Sequence, residues 1–315
     1  MGHYTAICHY FEVLYIFLKI YRYDWHMHKF PLTSIDPIHA FPQLGEIPEP
    51  PKKLFMRGTL QRTSGTKFVT IVGSRNCTSY GKNACESLIK GLAGYPVTIV
   101  SGLALGIDSI AHRAALDVGL PTIAFPGSGL DWNVIYPAQH RGLAEEILEA
   151  GGALLSEFPT DTRGAFWTFP RRNRLEAGMS DITIVIEAEE KSGTLITARL
   201  GTEYNKIVGA VPGPISSTSS KGANWLLRLG ATPITQSSDI LEELGLAQKI
   251  IADVSEYLNL TKEEERVLNA LSEPKNKEQL IVELSLNSAS ANIIFSMLEI
   301  KGVIRETLGL IERNI

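Results

Sequence analysis

Between Phe68 and Asp108 the sequence reads FVTIVGSRNCTSYGKNACESLIKGLAGYPVTIVSGLALGID. It opens on an apolar, β-branched run, Phe68 to Val72, that stops at Gly73-Ser74-Arg75. A helical stretch, Ser79 to Ala93, follows. A second apolar run, Thr98 to Val100, then ends in another small-residue loop, Ser101 to Asp108. Short continuous apolar runs suit strands buried on both faces, and parallel neighbours need a crossover between them. The alternation continues outward. Further strands are predicted at Thr122–Phe125, Ala153–Ser156, Ile182–Ile186 and Ile207–Val211, and further helices at Ile107–Asp117, Gln139–Glu149 and Leu195–Asn205. This spacing predicts an α/β fold with a doubly wound, mostly parallel sheet.

The flanks differ. Phe41 to Gly58 is rich in proline and reads as a connecting segment. Residues 1–40 form an atypical leader. Its apolar stretch Tyr10–Tyr23 is short and interrupted by Glu12, Lys19 and Arg22, so a packing helix or a loosely ordered leader is expected, not a membrane span. No basic start or small-residue cleavage site marks a secretory signal. The sheet domain is expected over residues 41–248. After it, three helical periods, Lys262–Leu271, Lys277–Leu284 and Ser288–Ile300, precede a Gly-containing hairpin, Gly302–Glu312. That order predicts a small winged-helix domain over residues 255–315.

The chain has 315 residues and a formal net charge of -4. Residues 1–50 carry -2, residues 51–254 carry +1 and residues 255–315 carry -3, so only the sheet domain is not acidic. Duplex readers depend on cationic phosphate contacts. The third predicted C-terminal helix, Ser288–Ile300, holds Glu299 and no Lys or Arg, which argues for a packing or protein-contact role. Three cysteines, Cys8, Cys77 and Cys85, show neither metal spacing nor disulfide density and fit a reducing, cytoplasmic location.

In a parallel sheet, ligands sit beyond the carboxyl ends of the strands. Here those ends carry GSRN (Gly73–Asn76), SGLALGID (Ser101–Asp108), PGSGLD (Pro126–Asp131), KSGTLITAR (Lys191–Arg199) and VPGP (Val211–Pro214). Glycine lets a backbone approach a ligand, and helix amino ends attract anions. A phosphate-bearing ligand fits such a rim. No GxxxxGK[ST] is present, and GSGLDW lacks the third glycine of a dinucleotide loop. Arg75, directly after the first turn, is placed to neutralise a phosphate. The plainer alternative is a strand-to-helix turn without a ligand. Asp108 and His112 share a helix face; a first-turn acid beside a packed histidine is preferred to a catalytic pair, because no nucleophile accompanies them. Arg171, Arg172 and Arg174 interleave with Leu175, Ala177 and Met179, so a phosphate clamp and a solvated face are both open.

Taken together, IVGSRNCTSYG, SGLALGIDSIAHRAAL, FPGSGLDWNVIYP, LLSEFP, FPRRNRLEAGMSDITIVIEA and KSGTLITAR resemble the DNA-processing protein A family, DprA, also called Smf. The likeness covers about residues 41–315, with PPKKLFMRG and the winged helix in agreement. It implies a Rossmann-like core that binds single-stranded DNA without sequence preference and uses no cofactor. It implies a homodimer that passes the strand to the RecA recombinase in natural transformation, with no catalysis and no membrane partner. By matched position, the DNA pocket receives Gly73, Ser74, Arg75, Gly127, Ser128, Gly129, Tyr136, Arg171, Asn173 and Arg174. Family members often carry a lysine after the Tyr-Pro; Arg141 is the nearest cation here. Tyr136 or Trp132 is expected to stack on bases. Trp225, Leu226 and Leu227 are expected at the dimer interface. Arg171 or Arg174 is expected to reach the pocket or to fix the glycine loops through backbone carbonyls, and Arg172 to be solvated. The rival reading is a nucleotide-binding protein or phosphoribohydrolase. It is weakened because Thr197 stands where that chemistry places its glutamate.

Overall fold

The computed structural model describes residues 29–59, 65–246, 260–271, 273–307 and 309–314. The Tyr10–Tyr23 stretch lies outside these residues. The chain divides into two compact units, Met1–Glu243 and Leu244–Ile315.

The first unit is built on one nine-stranded sheet. Seven strands form its parallel part: β3 (Lys67–Val72), β4 (Val97–Ser101), β5 (Thr122–Ala124), β6 (Ala153–Ser156), β7 (Ile182–Val185), β8 (Ile207–Ala210) and β9 (Thr232–Pro233). Their spatial order is β6-β5-β4-β3-β7-β8-β9, and each pairs in parallel with its neighbour. The chain winds from β3 towards β6 and then returns to the other side of β3. The crevice between the carboxyl ends of β3 and β7 is therefore the place where the winding reverses. Every residue of β4, β6 and β7 is buried, which explains the uninterrupted apolar runs.

Besides the two-residue strands β9 and Lys275–Asn276, two strands at the sheet edge went unpredicted. β1 (Thr33–Ile35) and β2 (Leu54–Gly58) extend the β6 edge in antiparallel fashion. The last five residues of the presumed connecting segment are thus sheet, and a strand lies inside the presumed leader. Leu54 fills the core while Phe55 and Met56 are only half-buried, so the run lacks the signature of a strand covered on both faces. A short turn of helix, α1 (Pro37–Ala40), is capped by Asp36, whose carboxylate accepts from the Ile38 and His39 amides. It leads into Phe41, Leu44 and Ile47, which pack with Leu54, Phe68, Leu175 and Met179. Burying a side chain such as Phe41 contributes about 1.5–3 kcal/mol.

The helices are α2 (Ser79–Lys90), α3 (Ile107–Asp117), α4 (Arg141–Glu149), α5 (Thr168–Met179), α6 (Thr194–Glu203), α7 (Lys221–Arg228) and α8 (Ser237–Glu243). Thr78 caps α2 by accepting from the Gly81 amide. α5 occupies the crossover between β6 and β7 and carries the arginine-rich stretch. It starts at the carboxyl rim of the sheet and runs back towards the amino ends, where the Met179 carbonyl accepts from Gln43.

The second unit has its own core. Its helices are α9 (Lys262–Ala270), α10 (Lys277–Leu284) and α11 (Ser288–Ile300), close to their predicted bounds. A three-stranded antiparallel sheet joins β10 (Lys275–Asn276), β12 (Leu310–Arg313) and β11 (Ile304–Thr307). Val267, Leu268, Leu280, Phe295, Leu298 and Ile311 meet inside it. Reciprocal capping boxes, Thr261 with Glu264 and Asn276 with Gln279, begin α9 and α10. Among the described residues no single helix is long and apolar enough to cross a membrane.

Candidate nucleic-acid interface

The crevice between β3 and β7 opens into a cavity of about 510 Å³. Gly73, Ser74 and Arg75 form one lip. Phe169, Pro170 and Asn173, at the start of α5, form a second. Lys191, Gly193, Thr194 and Thr197, around the start of α6, form a third. Asp108, Arg172 and Glu176 line it from below the rim.

The first lip is held by backbone. The Ile107 amide donates to the Ser74 carbonyl at 3.2 Å. Gly106 makes that approach feasible: its φ is +76°, and a Cβ there would collide with the Ser74 and Arg75 carbonyls. The Thr194 hydroxyl donates to the Gly73 carbonyl at 3.1 Å, tying the first lip to the third. Arg75 itself is exposed and lies over the Phe169 ring, 5.2 Å from its centroid. Among the described residues it forms no ion pair, so its charge faces solvent beside an aromatic surface. Tyr136 packs on the other reach of Phe169, with ring centroids 5.4 Å apart, and is 42% exposed. Phe166 is 94% exposed and Trp167 58%. Trp167 stands edge-on to Phe158 at 5.6 Å. A cationic group, a chain of rings and an open cleft thus lie together.

The arginines divide in an unexpected way. Arg172, expected to be solvated, is only 6% exposed. Its Nη1 donates to the Gly102 carbonyl at 2.6 Å and also to the Phe125 carbonyl, while Nε donates to Asn173 Oδ1. It therefore fixes the loops after β4 and β5, the carbonyl-fixing task expected of Arg171 or Arg174. Gly102 leaves room for the guanidinium, since a Cβ there would overlap it. Arg174 is buried instead against the Glu49 carbonyl and the Glu157 carboxylate. Arg171 is exposed and pairs with Glu157 at 3.3 Å. Neither lines the cavity. All three sit at the carboxyl rim although they precede β7, because α5 descends from that rim.

Other predicted residues scatter. Gly73, Ser74, Arg75 and Asn173 line the cavity. Gly127, Ser128 and Gly129 are buried and do not. The Gly127 carbonyl accepts from Thr168, the Ser128 carbonyl from Ser156 at 2.7 Å, and the Gly129 amide donates to Thr162. The loop supports the segment that carries Phe166 and Trp167. Arg141 turns to the Asn133 carbonyl. Trp132 packs against the Leu103–Leu143 cluster, which leaves Tyr136 as the accessible ring of the pair.

The buried acids behave differently from a catalytic pair. Asp108 accepts from the Ala104 amide at 3.2 Å, as a first-turn acid does. Burial pushes its pKa up, against the pull of Arg172. His112 is packed at 2.7 Å from the Thr122 hydroxyl, and burial lowers its pKa to about 3. Glu176, 3.1 Å from Arg172, is pushed up to about 7 by burial. Sequence reasoning missed Phe166, Trp167, Phe169 and the Glu176 carboxylate. The signal for the rings was three aromatics within four residues, directly before an arginine-rich helix start.

A second concavity of about 850 Å³ lies between α6 and α7, lined by Leu195, Val208, Trp225, Leu226 and Leu229. Trp225 is half exposed, Leu226 is buried and Leu227 is partly covered.

Comparison with known proteins matches this architecture. Protein Smf of Escherichia coli (strain K12) is 42% identical over 215 residues, 68% of this chain and 57% of that protein. The DNA processing protein DprA of Streptococcus pneumoniae is 40% identical over 216 residues, 68% of this chain and 74% of its own. The chain spans about half the length of Protein Smf of Escherichia coli and of the putative DNA processing protein DprA of Mycobacterium tuberculosis. Two solved structures superpose with a TM-score of 0.61. DprA from Streptococcus pneumoniae is 37% identical and covers 70% of this chain and 76% of its own. DprA from Helicobacter pylori, described for its single-stranded DNA binding mode, is 33% identical and covers 68% of this chain and 96% of its own. The model for DNA recombination-mediator protein A matches residues 33–245, which span the whole sheet from β1 to α8. With the reversed winding, the GSR lip and the arginine-bearing α5 all inside that match, the chain belongs to the DNA recombination-mediator protein A family.

Proposed function

We propose that this chain binds single-stranded DNA along the carboxyl rim of its sheet, acts in the cytoplasm and works as a homodimer that delivers the strand to RecA in natural transformation. The observation that carries the DNA reading is Arg75: a guanidinium with no ion pair among the described residues, resting on Phe169 at the winding reversal, beside the exposed rings of Tyr136, Phe166 and Trp167. Cationic groups take the phosphates, and stacking on aromatic faces tolerates every base. Exposed Lys191 adds a second cation on the opposite lip.

Arg75→Ala is expected to weaken binding to all single-stranded sequences alike. It should also reduce the steepness of the salt dependence by about 0.7 per lost phosphate contact. Fluorescence anisotropy across a salt series measures both; an unchanged affinity and slope would remove Arg75 from the interface. The half-exposed Trp225, exposed Leu229 and adjoining apolar groove support pairing through α7. RecA delivery rests on family membership, and co-sedimentation of RecA with strand-bound protein tests it. For the phosphoribohydrolase reading, incubation with nucleoside monophosphates followed by chromatography is expected to release no free base.

A further inference from the structure

The floor of the cavity holds an imbalance that the binding of phosphates does not use. Glu176 is 1% exposed, yet its Oε1 accepts no hydrogen bond. The neighbouring Arg172 Nη1, 3.1 Å away, has two N–H groups, and both are committed to the Gly102 and Phe125 carbonyls. Arg172 therefore offers Glu176 charge attraction but no donor. The bonds around Glu176 from Thr70 and Ser180 go to its backbone carbonyl, not to its carboxylate. A buried acceptor without a donor is a standing cost, which a partner supplying N–H groups relieves.

The cavity around it has the form of a base pocket. Its volume lies within the range of small-ligand sites. Phe169 supplies an aromatic wall, and Ile196 and Thr197 line the α6 side. Arg75 and Lys191 stand on its lips, where the phosphates of a strand would run. Nucleobases differ in what they show a carboxylate. Guanine presents adjacent N1–H and N2–H donors that match its two oxygens. Thymine flanks one N–H with two carbonyls, and adenine and cytosine set a ring acceptor beside their amino group. Those edges repel a carboxylate in part.

We infer that the cavity receives one base of the bound strand and that the Glu176 carboxylate, by accepting from the guanine N1–H and N2–H groups, gives this otherwise sequence-tolerant protein a preference for guanine at that position. The inference rests on the single-strand reading above. Phosphate contacts set the general affinity, and Glu176 sorts the one base that enters.

The test uses the full chain and all-thymidine oligonucleotides carrying one central deoxyguanosine, deoxyinosine, deoxyadenosine or thymidine. Inosine keeps N1–H and loses the amino group. Loss of one hydrogen bond to a charged acceptor is expected to weaken binding roughly tenfold, with thymidine at least as weak. In Glu176→Gln the guanine-to-inosine ratio is expected to fall to about one, a loss of that tenfold discrimination. Because the wild-type comparison needs no variant, a misfolded Glu176→Gln would leave it intact. Four equal wild-type affinities overturn the base pocket alone, and so does a ratio preserved in a folded Glu176→Gln. Failure of every oligonucleotide to bind overturns the single-strand reading with it.

Discussion

Arg172 shows how one side chain organises the site. It lies under the glycine loops, with its donors distributed over Gly102, Phe125 and Asn173 and its charge between Asp108 and Glu176. Arg172→Met leaves Glu176 without its ion-pair partner and removes the largest positive charge effect on Asp108. It is expected to cost about 3–5 kcal/mol, the range for breaking a buried ion pair, read as a lowered melting temperature. Arg171→Met, at an exposed pair, is expected to change stability by less than about 1 kcal/mol. The burial of Arg172 was legible in part: Arg172, Leu175, Glu176 and Met179 recur at the spacing of one buried helix stripe. What the sequence did not reveal were the receiving carbonyls, which come from the loops after β5 and β4, 47 and 70 residues away. Two buried titrating groups impose opposite pH slopes. His112 has its folded pKa lowered from 6.5 to about 3, so its contribution is present above pH 6.5 and is lost as pH falls towards 3. Glu176 has its pKa raised from 4.5 to about 7, so its contribution is present below pH 4.5 and is lost as pH rises through 7. Melting curves of His112→Asn and Glu176→Gln are expected to flatten the acid-side slope and the slope between pH 4.5 and 7, respectively.

At the scale of elements, α5 decides where the chemistry sits. Twelve residues of helix span about 18 Å, enough to run from the carboxyl rim to the amino ends of the strands. The arginine-rich start therefore faces the ligand side although it comes just before β7 in sequence. The loop ahead of it exposes Phe166 and Trp167. Phe166→Ala and Trp167→Ala are each expected to weaken single-strand binding by about 1–3 kcal/mol with little change in melting temperature, measured by anisotropy and calorimetry. Gly106→Ala tests the other lip. The left-handed backbone and the Ser74 carbonyl leave no room for a methyl group, so a loss of about 1–3 kcal/mol in stability is expected. Weaker DNA binding should accompany it as Gly73–Arg75 shifts. The parallel strands were legible because burial on both faces removes polar residues from them. β1 and β2 were not, since they are short, follow proline-containing stretches and are covered unevenly.

At the scale of the whole molecule, the cavity and every residue assigned to the strand lie within the first unit. A chain ending at Gly245 is therefore expected to keep single-strand binding, checked by anisotropy. Trp225→Glu, placed on the exposed face of α7, is expected to halve the mass seen by light scattering if pairing uses that groove. The doubly wound parallel sheet was inferable from the alternation of elements, but its strand order was not. The covering of the Gly127–Gly129 loop was not, because its lid comes from residues 159–169, far along the chain. Arg172 has one further consequence. A single guanidinium ties the loops after β4 and β5 to α5, so the floor of the cleft is held together before any strand arrives. Capture should then be a one-step encounter: in stopped-flow mixing, the observed rate rises in proportion to strand concentration, without a plateau and without a slow second phase.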